Sequence, residues 1–229
     1  MERHHFEEEL QGLKQRLLNM GALVEERLHQ AISALLERRQ DLAEQVIAGD
    51  PQVNDLQVEI DDRCLKLLAL QQPVGADLRL IASAMKINSD LERMGDQAVN
   101  IAETVLRLLP HPTLKSVVDV ARMAEMAEAM VRDALDAFVR RDAQAARAVL
   151  QRDDAVDHLK DSIFRVLLTY MMADPGTIER ALSLILISRN LERIADHATN
   201  VAEDVIFLVE ARDVRHHRSD GAHHGRNGR

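Results

Sequence analysis

The chain contains one passage twice. Residues 91–103 read LERMGDQAVNIAE, and residues 191–203, one hundred positions later, read LERIADHATNVAE. Eight of these thirteen positions are identical: Leu91/Leu191, Glu92/Glu192, Arg93/Arg193, Asp96/Asp196, Ala98/Ala198, Asn100/Asn200, Ala102/Ala202 and Glu103/Glu203. A repeat of that length marks a duplicated structural unit, so the fold must contain the same block of elements twice. The block is helical. Ile87, Leu91, Met94, Ala98, Ile101, Val105 and Leu108 advance in steps of three and four, and so do Ile187, Leu191, Ile194, Ala198, Val201, Val205 and Leu208. Each set is the apolar seam of a long amphipathic helix.

The rest of the chain agrees with an all-α fold. Ala, Leu, Glu and Arg dominate, while aromatic residues make up 2% and Trp is absent; the former favour helices and the latter strands. A length of 229 residues allows one or two domains with a sizeable core. A net charge of −9 speaks against nucleic-acid binding, which needs clustered Lys and Arg. Cys64 is the single cysteine, which rules out an internal disulfide and suits a reducing compartment. Residues 1–10 are too polar for a signal peptide, and the apolar stretch at 181–187 is far too short to span a bilayer. A cytoplasmic chain is expected, one that meets a membrane only through partners.

All five prolines stand where a helix should start or stop. Asp50-Pro51 reads as an N-cap followed by the first helical position. Pro73 with Gly75, Pro110 with Pro112, and Asp174-Pro175-Gly176 read as ends and turns. Between them the sequence predicts helices near 7–38, 41–71 (broken at 49–51), 77–109, 113–140, 142–172 and 176–211. Long helices with short connections pack antiparallel. The expectation is therefore two tandem pseudo-symmetric three-helix bundles, at 1–110 and 111–212. The His/Arg-rich tail, 213–229, has almost nothing apolar after His216 and is expected to be disordered.

Packing does not explain the repeated acids. At about 100° per residue, Glu92, Asp96, Asn100 and Glu103 lie nearly opposite the seam, and Glu192, Asp196, Asn200 and Glu203 repeat the arrangement. Like charges one turn apart destabilise a helix by a few tenths of a kcal/mol. Arg93, Arg193 and Arg189 offer only partial relief. Asp153, Asp157 and Asp161 form a second acidic row, and Asp50, Asn54 and Asp61 lie comparably in the first half. Rows of carboxylate and amide oxygens suit a hard cation. They equally suit a solvated face or a contact with a basic partner, and spacing alone leaves those readings open.

The two LER-[IM]-[GA]-D passages, each followed by Asn, resemble the PhoU family of bacterial phosphate-uptake regulators. MGALVEERLHQAI at 20–32, QVIAGDPQVNDLQVEID at 45–61, QPVGADLRLI at 72–81 and LLTYMMADP at 167–175 fit the same pattern. The resemblance covers about residues 5–212. It implies a non-enzymatic negative regulator of the phosphate regulon and of phosphate uptake. Such a protein is an adaptor between the ATPase subunit of an ABC phosphate importer and a sensor histidine kinase, and is typically a homodimer. It further implies metal clusters on Glu92 with Asp96 and on Glu192 with Asp196. Asp153 and Asp157 would join them in the second half, Asn54 and Asp61 in the first. Iron, zinc, manganese or magnesium would each accept oxygen ligands. The family often carries Glu where this chain has Gln57, so the first-half site is expected to be the poorer one.

Rival readings are a metal-free helical scaffold and a di-metal carboxylate enzyme. Glu26 and His29 form one Glu-x-x-His step, but di-iron bundles need two. His197, beside Asp196, is a candidate extra ligand or a hydrogen-bond partner of one. The methionines at 85, 94, 123, 126 and 130 read as core filler. No phosphate-cradling glycine loop and no nucleophile set is present.

Overall fold

The apolar seams become the buried faces of four long helices. The computed structural model describes residues 2–114, 117–212 and 214. The helices are α1 (Glu2–Glu37), α2 (Gln40–Ala48), α3 (Asp50–Gln71), α4 (Gly75–Leu108), α5 (Val117–Arg140), α6 (Ala143–Leu150), α7 (Asp153–Ala173) and α8 (Ile178–Glu210), with a 3₁₀ turn at Pro175–Thr177 before α8. Helices α2 with α3, and α6 with α7, each form one kinked arm. The architecture is thus two three-helix bundles, α1–α4 and α5–α8. The tail at 213–229, residue 214 apart, lies outside the described residues.

The core is continuous across both bundles. Leu13, Leu17, Met20, Val24 and Leu28 line α1; Ile87, Leu91, Met94, Ala98 and Ile101 line α4; Ile187, Leu191, Ile194, Ala198 and Val201 line α8. Met94, Met123 and Met130 are buried among them. Helices α4 and α8 form the largest contact between the bundles and run antiparallel. Ser83 Oγ donates to the Asp204 carbonyl at 3.4 Å, and Lys86 Nζ meets the Asp204 carboxylate at 3.1 Å. Farther along, Val105 and Leu184 line one small cavity. On the other side Gly21 lets α1 approach α5, since a Cβ there would stand 2.6 Å from Leu135.

The helix ends repeat as faithfully as the seams. Arg38 and Arg141 take positive φ of 55° and 52°. In each case the next residue's N–H reaches five residues back, Arg39 to Ala34 and Asp142 to Ala137, which closes the helix in a Schellman turn. The Arg38 guanidinium then donates to the carbonyls of Leu109 and His111 and to Thr113, and Arg180 of α8 donates to Pro112. Both bundles thereby fasten the connection between them.

Four boundaries differ from the sequence reading, the first being the start of α1 at Glu2 rather than near residue 7. Among the described residues, 113 and 114 are not helical. Asp50 is not a side-chain cap: it is the first residue of α3, and its carboxylate accepts from Asn54 Nδ2 at 2.9 Å. The arm expected as one helix over 142–172 breaks at Gln151–Arg152, matching the break at Gly49, with neither proline nor glycine to announce it. The kink is a tertiary requirement, because α6 and α7 must both lie against the straight rod of α8, as α2 and α3 lie against α4. Arg27 braces the first kink by donating to the Gln45 carbonyl and to Gln52 Oε1. No described helix is long and apolar enough to cross a membrane.

Candidate functional site

Equivalent buried residues fix how the second arms correspond. Val53 with Val156 and Ile60 with Ile163 occupy matching core places. Asp50 therefore corresponds to Asp153, Asn54 to Asp157, Gln57 to Lys160 and Asp61 to Phe164. Because α3 packs on α4 and α7 on α8, the acidic rows of each pair do meet on one face.

In the first repeat the meeting point is Asp50, Glu92 and Asp96. Burial raises the Glu92 pKa, and Asp96 and Asp50 add to the rise while Arg93 opposes it. Asp96 is raised by burial and by Asp50, again against Arg93. Asn54 lies beside this group through its bond to Asp50. Asp61 is engaged elsewhere: Asn88 Nδ2 donates to it at 2.9 Å, one turn before Glu92. Asn100 is exposed farther along α4.

The second repeat gathers more charged groups. The Asp196 carboxyl is pushed up to about 6 by burial and by the charges of Glu192, Asp153 and Asp157. Inside this group stands Lys160, whose ammonium lies 3.0 Å from Glu192 and 3.3 Å from Asp157. Relief for Glu192 thus comes from Lys160 across the helix pair rather than from Arg189 on its own helix. In the first repeat Gln57 takes the place of Lys160. The first repeat holds three carboxylates and an amide, the second four carboxylates and an ammonium, so their net charges match.

His197 bridges the bundles instead of joining the acids of its own helix. Its Nδ1 lies 2.8 Å from Asp90, and Asn200 Nδ2 donates to the same carboxylate oxygen at 3.1 Å. In the pseudo-symmetric place stand Gln97 and Asn190. Gln97 is buried, and its Oε1 has no hydrogen-bond partner. Arg93, Gln97, Arg193, Asp196 and His197 surround an open hollow of about 620 Å³ between the bundles.

Chemically these rows are sets of hard oxygen donors whose mutual repulsion a cation would relieve. As the side chains stand, no three His, Cys, Asp or Glu groups among the described residues converge closely enough to enclose an ion. His29 pairs with Glu128 at 3.6 Å and Glu26 with Gln30, so the lone Glu-x-x-His step is a surface feature. Lys160 and Asp90 are the participants that sequence spacing left out of the candidate site, while Asp50 belongs to the spaced acidic row. The alignment of Val53 with Val156 signals Lys160; Asp90 has no signal short of the α4–α8 register.

Comparison with known proteins gives one family throughout. The family model described as the PhoU domain matches residues 17–105 and again 120–205, once in each bundle. A phosphate-specific transport system accessory protein PhoU homolog from Pseudomonas putida is 44% identical over 218 residues, covering 93% of this chain and 85% of that one. The homolog of the same description from Aquifex aeolicus is 44% identical over 208 residues, covering 91% and 94%. The crystal structure of PhoU from Pseudomonas aeruginosa superposes with a TM-score of 0.88 at 42% identity, over 90% of this chain and 100% of that one. The phosphate transport system regulatory protein PhoU from Streptococcus pneumoniae gives 0.85 at 32% identity, over 91% and 99%.

Proposed function

The chain belongs to the PhoU family, and on that premise we propose that it is a negative regulator of the phosphate regulon and of phosphate uptake. It works in the cytoplasm as a homodimer, as an adaptor between the ATPase subunit of an ABC phosphate importer and a sensor histidine kinase, and it is not an enzyme. The relatives, named as accessory and regulatory proteins of phosphate transport, support the role in transport regulation. The observation that carries the rest is the pair of carboxylate rows, kept in both repeats on a surface the core does not need, with Asp196 held near 6. Iron, zinc, manganese or magnesium ions neutralise these rows: Glu192, Asp196, Asp153 and Asp157 hold them in the second repeat, and Glu92, Asp96, Asp50 and Asn54 in the first. The bound ion removes the repulsion and stiffens the face that docks on the partner.

The test is an alkaline phosphatase reporter of the phosphate regulon in phosphate-rich medium. Deleting the gene should derepress the reporter, and Glu192→Ala with Asp196→Ala should do so in part while lowering metal content. An unchanged reporter in the deletion strain refutes the regulatory role. Lys160 favours a second reading, a scaffold whose acids bind a basic partner directly, since a tethered ammonium already sits among them. Elemental analysis of protein lacking the His-rich tail separates the two.

A further inference from the structure

The outer face of the α7–α8 hairpin carries more apolar surface than its fold requires. Phe164, Leu168 and Met172 follow one another at four-residue steps on α7, and Ile178, Leu182 and Leu186 do the same on α8. All six are between 42% and 79% exposed. The two rows lie side by side, because α7 and α8 are joined by a short turn and Phe164 shares a groove of about 290 Å³ with Ile185 and Arg189.

The first repeat supplies an internal control. The matching positions on α3 and α4 are Asp61, Leu65, Ala69, Leu78, Ala82 and Lys86. Val58, Leu65, Leu70, Val74 and Leu78 show that the first hairpin also exposes apolar side chains, but they do not line up in two rows at four-residue steps. The four matching positions besides Leu65 and Leu78 show that the same fold accepts Asp, Ala, Ala and Lys where the second repeat has Phe164, Met172, Leu182 and Leu186. In the first repeat the groove is closed by Asn88, which donates to Asp61 and to the Gln57 carbonyl. Phe164 and Ser188 replace that pair in the second repeat, and Ser188 turns back to its own helix at Ile185. The groove is left open.

We propose that the α7–α8 outer face is the surface on which a second copy of this chain docks, the two hairpins forming a four-helix bundle about a twofold axis. This rests on the homodimer in the functional reading above and adds its location. Half-exposed on average, the six side chains present on the order of 500–600 Å², the upper end of what a monomer leaves as one apolar patch. With a polar rim the face approaches the roughly 800 Å² that each partner contributes to a stable complex. The rim is self-complementary. Asp161 and Arg189 border the groove, and neither side chain has a hydrogen bond or ion pair within the described chain. A twofold contact pairs each with its opposite on the second copy, as an isologous interface requires.

The experiment is light scattering and sedimentation over a concentration series, on the full chain and on Leu182→Ala/Leu186→Lys. That variant installs the residues the first repeat carries at these places, so the fold accepts them; unchanged far-ultraviolet circular dichroism checks this. If it misfolds, Phe164→Asp/Met172→Ala takes its place. The wild type should have twice the 25.8 kDa chain mass. The variant should dissociate at a protein concentration at least about tenfold higher than the wild type needs. A wild type that is monomeric throughout overturns both the surface and the homodimer of the functional reading, and leaves the face for a helix of another protein. A dimer that neither variant weakens overturns the surface alone.

Discussion

Replacing Lys160 with Gln gives the second repeat the residue that Gln57 supplies in the first, and removes the cation from inside its acid row. The ammonium lies 3.0 Å from Glu192 and 3.3 Å from Asp157, and these bonds, chiefly the one to Glu192, hold the Lys160 pKa above the ordinary lysine value. The side chains of Lys160 and Glu192 are 29% and 22% exposed, while Asp157 is half exposed. An exposed ion pair contributes less than about 1 kcal/mol, whereas removing one partner of a fully buried pair costs about 3–5 kcal/mol. One part-buried bond with one exposed bond lies between, at about 2 kcal/mol. For a chain of this size that lowers the midpoint of thermal unfolding by about 4–8 °C. The loss should be recoverable. With Lys160 gone, the four carboxylates lose its ammonium from among them, and a divalent cation at a hundred times its dissociation constant returns about 2.7 kcal/mol. Thermal melts followed by circular dichroism at pH 7, with and without millimolar manganese or magnesium, read both effects. An unchanged midpoint in Lys160→Gln, or a variant that gains no more from the cation than the wild type, would refute the reasoning.

Two further outcomes follow from the same structure. Asp196 is held near 6 against an ordinary value of 3.8. The folded chain therefore binds an extra proton between about pH 4 and 6, and this group's contribution to stability, full below that window, is lost as the pH rises through it. Asp196→Asn should melt higher than the wild type at pH 7, with the difference vanishing toward pH 4; parallel curves across the window would count against the charge cluster. Cys64 is fully buried, and burial pushes its thiol up to about 12. A disulfide reagent such as DTNB should label it only at the rate of unfolding, and rapid labelling of the native chain would show that α3 opens locally.

The parts of this molecule that were legible in the sequence are those governed by local periodicity. Seams such as Leu91, Met94 and Ala98 repeat on a single helix, so their burial needs no knowledge of the partner. The prolines at 51, 73 and 175 mark ends because one residue's φ is enough to stop a helix. The kink at Gln151–Arg152 was illegible, since neither residue breaks a helix and only contact with α8 bends the arm. Asp50 reads as a cap from its neighbours and as a member of an acidic row from its spacing, but its place beside Glu92 and Asp96 depends on how α3 lies along α4. Lys160 was hidden for a related reason. Spacing within α7 shows acids one turn apart, but which side chain crosses to Glu192 is decided by the register of two helices. The Asp90–His197 contact stands farther still from the sequence, as it joins halves that pattern reading treats as separate.

The antiparallel course of α4 and α8 fixes the reach of the molecule. A helix of 34 residues is about 50 Å long, and the two helices are packed side by side, so the turns before α4 and before α8 sit at opposite ends of one stiff strut. Leu70 and Val74 protrude at one end, Met172 and Ile178 at the other. Anything docked at one end would stand about one helix length from anything docked at the other. Neither α4 nor α8 is broken, so a push on one end arrives at the other as a tilt of the whole rod.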